Sequence, residues 1–125
     1  MKRDMELMRK ILFAIEEEAK PERPFVWNLK IEGYDTQTIG AHCDLLEQEG
    51  LVKYYKPVFA DNNLHGFHVG DITSRGHDYL ELIRNNEVWD KAKTEIETKK
   101  LPNTVETITK VAALFMADFF KNLNS

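Results

Sequence analysis

A single cysteine, Cys43, occurs in the 125 residues. No disulfide can close within the chain, and a reducing compartment is expected. No apolar run approaches the roughly 20 residues of a membrane-spanning helix, so no membrane partner is expected. The opening residues Met1-Lys2-Arg3-Asp4-Met5-Glu6 alternate charge and lack the apolar core of a signal peptide. The expected location is the cytoplasm. Basic residues are also too few to dominate: 17 Lys and Arg stand against 21 Asp and Glu, a net charge of −4. Phosphate neutralisation supplies most of the affinity of a sequence-blind nucleic-acid binder, so any such surface here must be local. No nucleotide-binding glycine loop, Gly-x-Ser-x-Gly elbow or His-Glu-x-x-His pair occurs, and no nucleophile is spaced to a base. An enzyme is not expected, and no cofactor is implied.

What is present suits a soluble globular chain: 42% hydrophobic and 30% charged residues exclude a disordered composition. The length suits one domain, able to bury roughly two-thirds of its unfolded surface without a staple.

The spacing predicts a helix over 4–19, with Asp4 as N-cap and Met5, Met8, Ile11, Leu12 and Ile15 on one stripe. Its exposed end carries Glu16-Glu17-Glu18, and Pro21 and Pro24 stop it. Residues 25–31 alternate and predict a strand with Phe25, Trp27, Leu29 and Ile31 inward. A second helix is predicted over 35–49, capped by Asp35 and stopped by Gly50, with Ile39, His42, Cys43, Leu45 and Leu46 inward. The runs 51–59 and 67–72 read as a hairpin joined by a turn over 60–66, with Val52 and Phe67 on neighbouring rungs. Thr73 predicts an N-cap for a helix over 74–85, with Tyr79, Leu80 and Ile83 inward. A further helix follows near 87–100. Asn103 and Glu106 form the cap pair expected for a last helix over 104–123.

The four histidines and Cys43 do not predict a metal site. His65 and His68 fall in or near a turn without an established ligand spacing, and His42 and Cys43 share a packing face. His42 and His77 are expected to donate to backbone carbonyls and fix helix packing. The hairpin mixes Lys53, Tyr54, Tyr55 and Lys56 with His65 and His68. Such a mixture can contact phosphate or stack. Alternatively, one tyrosine packs inward and the lysines solvate the edge. The last helix carries Phe115, Met116, Phe119 and Phe120. A face this wide predicts either a homodimer interface or a fold-back onto the first helix.

The order Leu45-Leu46-Glu47-Gln48-Glu49-Gly50-Leu51-Val52, followed by a hairpin and then Ile72-Thr73-Ser74-Arg75-Gly76, resembles the recognition helix and wing of a winged-helix domain. More narrowly, three blocks resemble an uncharacterised family of phage and bacterial proteins, the domain-of-unknown-function family 2513. They are Met1–Met5 with Arg9-Lys10-Ile11-Leu12 and Glu16–Glu18; Gly33-Tyr34 with His42, Leu45-Leu46 and Gly50–Val52; and Thr73-x-x-Gly76-His77-Asp78-Tyr79-Leu80 with Trp89 and Lys93. The resemblance spans roughly residues 1–93. It implies a winged-helix-like fold and a phage or prophage context, and no established activity.

The expected architecture is therefore α+β. A winged-helix-like core (helix, strand, helix, β-hairpin wing) occupies 1–86 and a C-terminal helical extension 87–125, within one domain. Two departures from a DNA-binding winged helix are legible. The usual supporting helix before the recognition helix is replaced by the predicted strand. Segment 35–50 holds four of the acidic residues and no basic one, so the whole net charge sits there.

The first expected function is a DNA-associated or regulatory protein contacting double-stranded DNA. Gln37 and Thr38 of the second helix would make contact, with Lys53, Tyr54 and Lys56 of the wing on the backbone. The alternative is a protein-interaction module, binding a host or phage protein through Asp44 and Glu47, expected on that helix's exposed side. A homodimer would form through Phe115, Met116, Phe119 and Phe120.

Overall fold

In a computed structural model the chain is α+β, with five helices and a three-stranded antiparallel sheet among the described residues, 1–123. Residues 124 and 125 of the expected extension lie outside that range. Two compact units divide the chain, Met1–His77 and the part from Asp78 onward.

In the first unit, α1 (Met5–Glu18) starts where the Asp4 carboxylate accepts from the Leu7 amide at 3.0 Å. Leu7, Met8, Ile11, Leu12 and Ile15 are fully buried. The helix meets α2 and β1. Asp35 caps α2 (Thr36–Gln48) by accepting from the Thr38 amide at 2.8 Å. That bond holds the Asp35 carboxyl below its usual range. Gly50, at φ +74°, supplies the left-handed turn after α2.

The strand β1 (Phe25–Trp27) is shorter than expected, and its phase is reversed. Val26 is buried, while Trp27 is 47% exposed and Phe25 half-buried. Asn28 is the physical cause of the short length. Its φ of +50° ends the extended run, and its side-chain oxygen accepts from the Phe67 amide at 2.9 Å in place of a ladder bond. Leu29, beyond this break, is buried independently of the strand's alternation.

The hairpin turn is tighter than the sequence suggested, and its first strand begins at Tyr55 rather than at residue 51. Strands β2 (Tyr55–Ala60) and β3 (Asn63–Gly70) are joined by Asp61 and Asn62 alone, both at positive φ, as a two-residue primed turn requires. The expected turn over 60–66 thus gives way to strand. The register is also corrected: Phe67 pairs with Pro57, and Val52 bridges Ile72. Both pairs belong to the same antiparallel ribbon but are not adjacent rungs. Strand order is β1-β3-β2.

Helix α3 (Ser74–Ile83) begins as expected, with the Thr73 hydroxyl accepting from the Gly76 amide at 2.9 Å. The same hydroxyl donates to the Gly50 carbonyl at 2.6 Å, tying the helix start to the end of the α2 turn. Beyond it, α4 (Asn86–Thr98) and α5 (Val105–Leu123) pack as a helical hairpin. The cap of α5 is Thr104, whose hydroxyl accepts from the Thr107 amide at 3.1 Å, rather than the expected Asn103 and Glu106 pair. Among the described residues, no helix is long and apolar enough to cross a membrane.

Candidate functional site

The sheet presents two different faces. Tyr55, Phe67 and Leu64 turn toward α2: a Cβ built on Gly40 of that helix would touch all three side chains. Tyr54, Lys56 and His68 point the other way by strand alternation. Of the two tyrosines, Tyr55 is therefore the inward one. Burial, with the negative field of Asp44, raises its phenol above the ordinary value.

The outer face gathers aromatic groups. His68 lies opposite Trp27 on one side and Lys56 on the other. Its ring contacts Trp27 at 4.5 Å and Phe25 at 5.3 Å between centroids. The Tyr54 ring lies over Gly70, where a Cβ would come within 2.8 Å of Cδ1. The Lys56 ammonium sits 5.1 Å from the centre of the Tyr54 ring. The three strands contain Lys56, His65 and His68 and no carboxylate, in a chain whose net charge is negative. Asp61 in the turn and Asp71 after β3 flank this region, and Asp71 accepts from the Ile72 amide at 2.7 Å.

The expected nucleic-acid residues fall into two groups. Tyr54 and Lys56 stand on the open face, and Lys53 is exposed at the base of the hairpin. Gln37 is on the opposite side of the sheet, where its amide reaches the Leu64 carbonyl at 3.4 Å. Thr38 is half-buried, its amide held by Asp35 and its carbonyl by the His42 ring. The structure does not bring these two α2 residues to Tyr54 and Lys56.

Asp44 and Glu47, expected on an exposed side, are both half-buried because the hairpin folds over α2. Glu47 accepts a short hydrogen bond from the Tyr55 amide and so fastens the start of β2. Asp44 lines an open groove of about 440 Å³ between α2 and the hairpin, with Ala41, Tyr55, Pro57, Phe59 and Leu64.

His42 is buried and takes two backbone bonds, Nδ1 to the Thr38 carbonyl and Nε2 from the Asp4 amide. His77 is exposed, contrary to the packing role expected for it. Burial pushes the Cys43 thiol far above its ordinary value, so it is a packing group rather than a nucleophile. Among the described residues, no group of three or more His, Cys, Asp or Glu side chains is placed to hold a metal ion. On α5, Phe115 and Met116 are half-buried and Phe119 and Phe120 exposed.

Residues 2–102 match the family described as hypothetical protein DUF2513. The chain belongs to the DUF2513 family. It is also similar to an uncharacterised protein of Haemophilus influenzae (strain ATCC 51907 / DSM 11121 / KW20 / Rd). The two are 30% identical over 112 residues, which cover 90% of this chain and 92% of that protein. No solved structure matches the chain. The DUF2513 match includes every residue of the open aromatic face and the Asp4–His42 pair. It ends before α5, so Phe115, Met116, Phe119 and Phe120 lie beyond it.

Trp27 and Phe25 were missed as surface residues because alternation gives a period and not a phase. Gly66 and Gly70 were the available signal. Glycines four apart on a strand leave two rungs of one face without side chains, and rings from neighbouring strands can fill them.

Proposed function

We propose that this DUF2513 protein is a nucleic-acid-associated binding module on a winged-helix-type scaffold, and that it binds through the open face of its sheet. The scaffold reading rests on the succession α1, β1, α2 and hairpin with strand order β1-β3-β2. No helix stands between β1 and α2, where a DNA-binding winged helix carries one. The acidic α2 is half-covered by the hairpin, which turns the reading away from a recognition helix in the major groove.

The observation that carries the proposal is the row Trp27–His68–Lys56 with Tyr54 beside it, rings and a cation on a carboxylate-free face. Rings stack on bases and lysines neutralise phosphate. Fluorescence anisotropy with labelled duplex and single-stranded oligonucleotides at low salt tests it. Binding within the non-specific range of about 1–100 μM is expected, and silence of both probes at ~0.1 mM protein overturns it.

A second reading is favoured by the groove. Phe59 is 65% exposed beside Asp44, which suits a partner segment carrying a basic and an apolar side chain. Asp44→Lys is expected to abolish binding of such a peptide while leaving oligonucleotide binding intact. Unchanged peptide binding would remove this reading.

A further inference from the structure

The rings of the open face are spread across three strands. Trp27 ends β1 and Tyr54 immediately precedes β2, with β3 between them. Both rings rest on glycine: a Cβ at Gly66 would come within 3.0 Å of Trp27 Cη2, and one at Gly70 within 2.8 Å of Tyr54 Cδ1. Gly66 and Gly70 are four residues apart on β3, so the two platforms are on the order of 13 Å apart along that strand. Trp27 keeps 47% of its surface in solvent, even with His68 against it.

That spacing selects among nucleic acids. Successive bases of a duplex are ~3.4 Å apart along each strand and cover one another's faces. A duplex therefore presents phosphates to this surface and no base to either ring. A single strand can splay its bases and lay them on separate aromatic side chains. Lys56 pairs in register with His68, between the two ring positions, where the backbone joining two splayed bases would pass.

Resting on the nucleic-acid reading above, we infer that the open sheet face is a site for single-stranded nucleic acid. One base stacks on Trp27 and a second on Tyr54. Lys56 takes the phosphate between them, and Lys53 extends the positive edge. The site reads stacking and charge, so it accepts DNA and RNA with little sequence preference.

Oligothymidylate, oligouridylate and a duplex of the same length are titrated into the full chain, with anisotropy and tryptophan emission recorded together. Trp89 is 1% exposed, so quenching by an oligonucleotide reports Trp27. Both single strands are expected to quench and to bind at least about tenfold more tightly than the duplex. Trp27→Ala is expected to weaken single-strand binding about tenfold, with Trp27→Phe recovering part of the loss. Lys56→Ala is expected to reduce the slope of log affinity against log salt by about 0.7. Circular dichroism and the urea midpoint verify that each variant is folded. Equal affinity for duplex and single strand, without quenching and unaffected by Trp27→Ala, overturns the single-strand site but leaves the nucleic-acid reading standing. No binding of any probe overturns both.

Discussion

The backbone amide of Asp4 donates to Nε2 of His42 at 2.9 Å, joining the residue that caps α1 to the middle of α2. The other ring nitrogen meets the Thr38 carbonyl at 2.8 Å, so His42 serves here as the neutral tautomer with the proton on Nδ1. Asp4 makes further use of its position. Oδ1 caps the Leu7 amide, and Oδ2 accepts from the Tyr34 hydroxyl at 3.1 Å. One loop, one helix start and one helix centre are thus held by a single polar cluster.

His42→Leu leaves the Asp4 amide and the Thr38 carbonyl without their ring partner. A loss of about 1–3 kcal/mol in unfolding free energy is expected, the cost of stranding buried polar groups. Urea denaturation of the two proteins measures it, and a loss below about 0.5 kcal/mol would show that water replaces the imidazole.

Two glycines fail for different reasons when changed to alanine. A Cβ at Gly76 would stand 2.1 Å from the Leu51 carbonyl oxygen, a backbone atom that has no rotamer to yield. Gly76→Ala is expected to cost at least about 3 kcal/mol, the upper end of overpacking effects. A Cβ at Gly50 would meet the Arg75 side chain at an unstrained 3.8 Å, but the residue has a φ of +74°. Gly50→Ala is expected to cost about 1–2 kcal/mol, from conformation alone. Paired thermal or urea melts separate the two.

Alkaline pH should weaken the first unit. Cys43 is raised by burial, Tyr34 by burial and its hydrogen bond to Asp4, and Tyr55 by burial and nearby negative charge. Each group is an acid whose neutral form the fold favours. Its contribution is complete below the unfolded-state pKa and is lost as pH climbs toward the folded one. The decline is expected to begin near pH 8.5, where an unfolded cysteine ionises, and to steepen near 10 as the tyrosines follow. Urea midpoints between pH 7 and 11 trace it. In the same range Cys43 should resist thiol reagents until the chain unfolds.

Asn85 caps α4 by accepting from the amides of Glu87 and Val88 at 2.9 and 3.1 Å. Asn85→Ala is expected to cost ~1 kcal/mol, and Asn85→Asp to keep most of the capping. Hydrogen exchange at the first turn of α4 is the direct readout.

Elements marked by local chemistry were legible in the sequence. Asp4, Asp35 and Thr73 start helices because a short polar side chain reaches an unpaired amide two or three residues on, whatever surrounds it. Gly50 stops α2 because the required φ is cheap only for glycine. The family was legible too, from residues scattered along the first three-quarters of the chain. Tyr54 and Lys56 were legible as a cation beside an aromatic group, and the structure brings them within 5.1 Å on one face of the sheet.

Long-range pairing accounts for what was not legible. Phe25-Val26-Trp27 alternates equally well in either phase, and the pairing of Val26 with Val69 decides that the valine is buried and the tryptophan is not. Asp44 and Glu47 look exposed on an isolated helix and are half-covered once the hairpin lies over α2. The caps at Asp4, Asp35 and Thr73 and the stop at Gly50 depend on a few neighbouring residues, so the sequence alone determined them. Which face of the sheet stayed open depended on β1, β2 and β3 meeting across some forty residues, and only the tertiary structure could decide that.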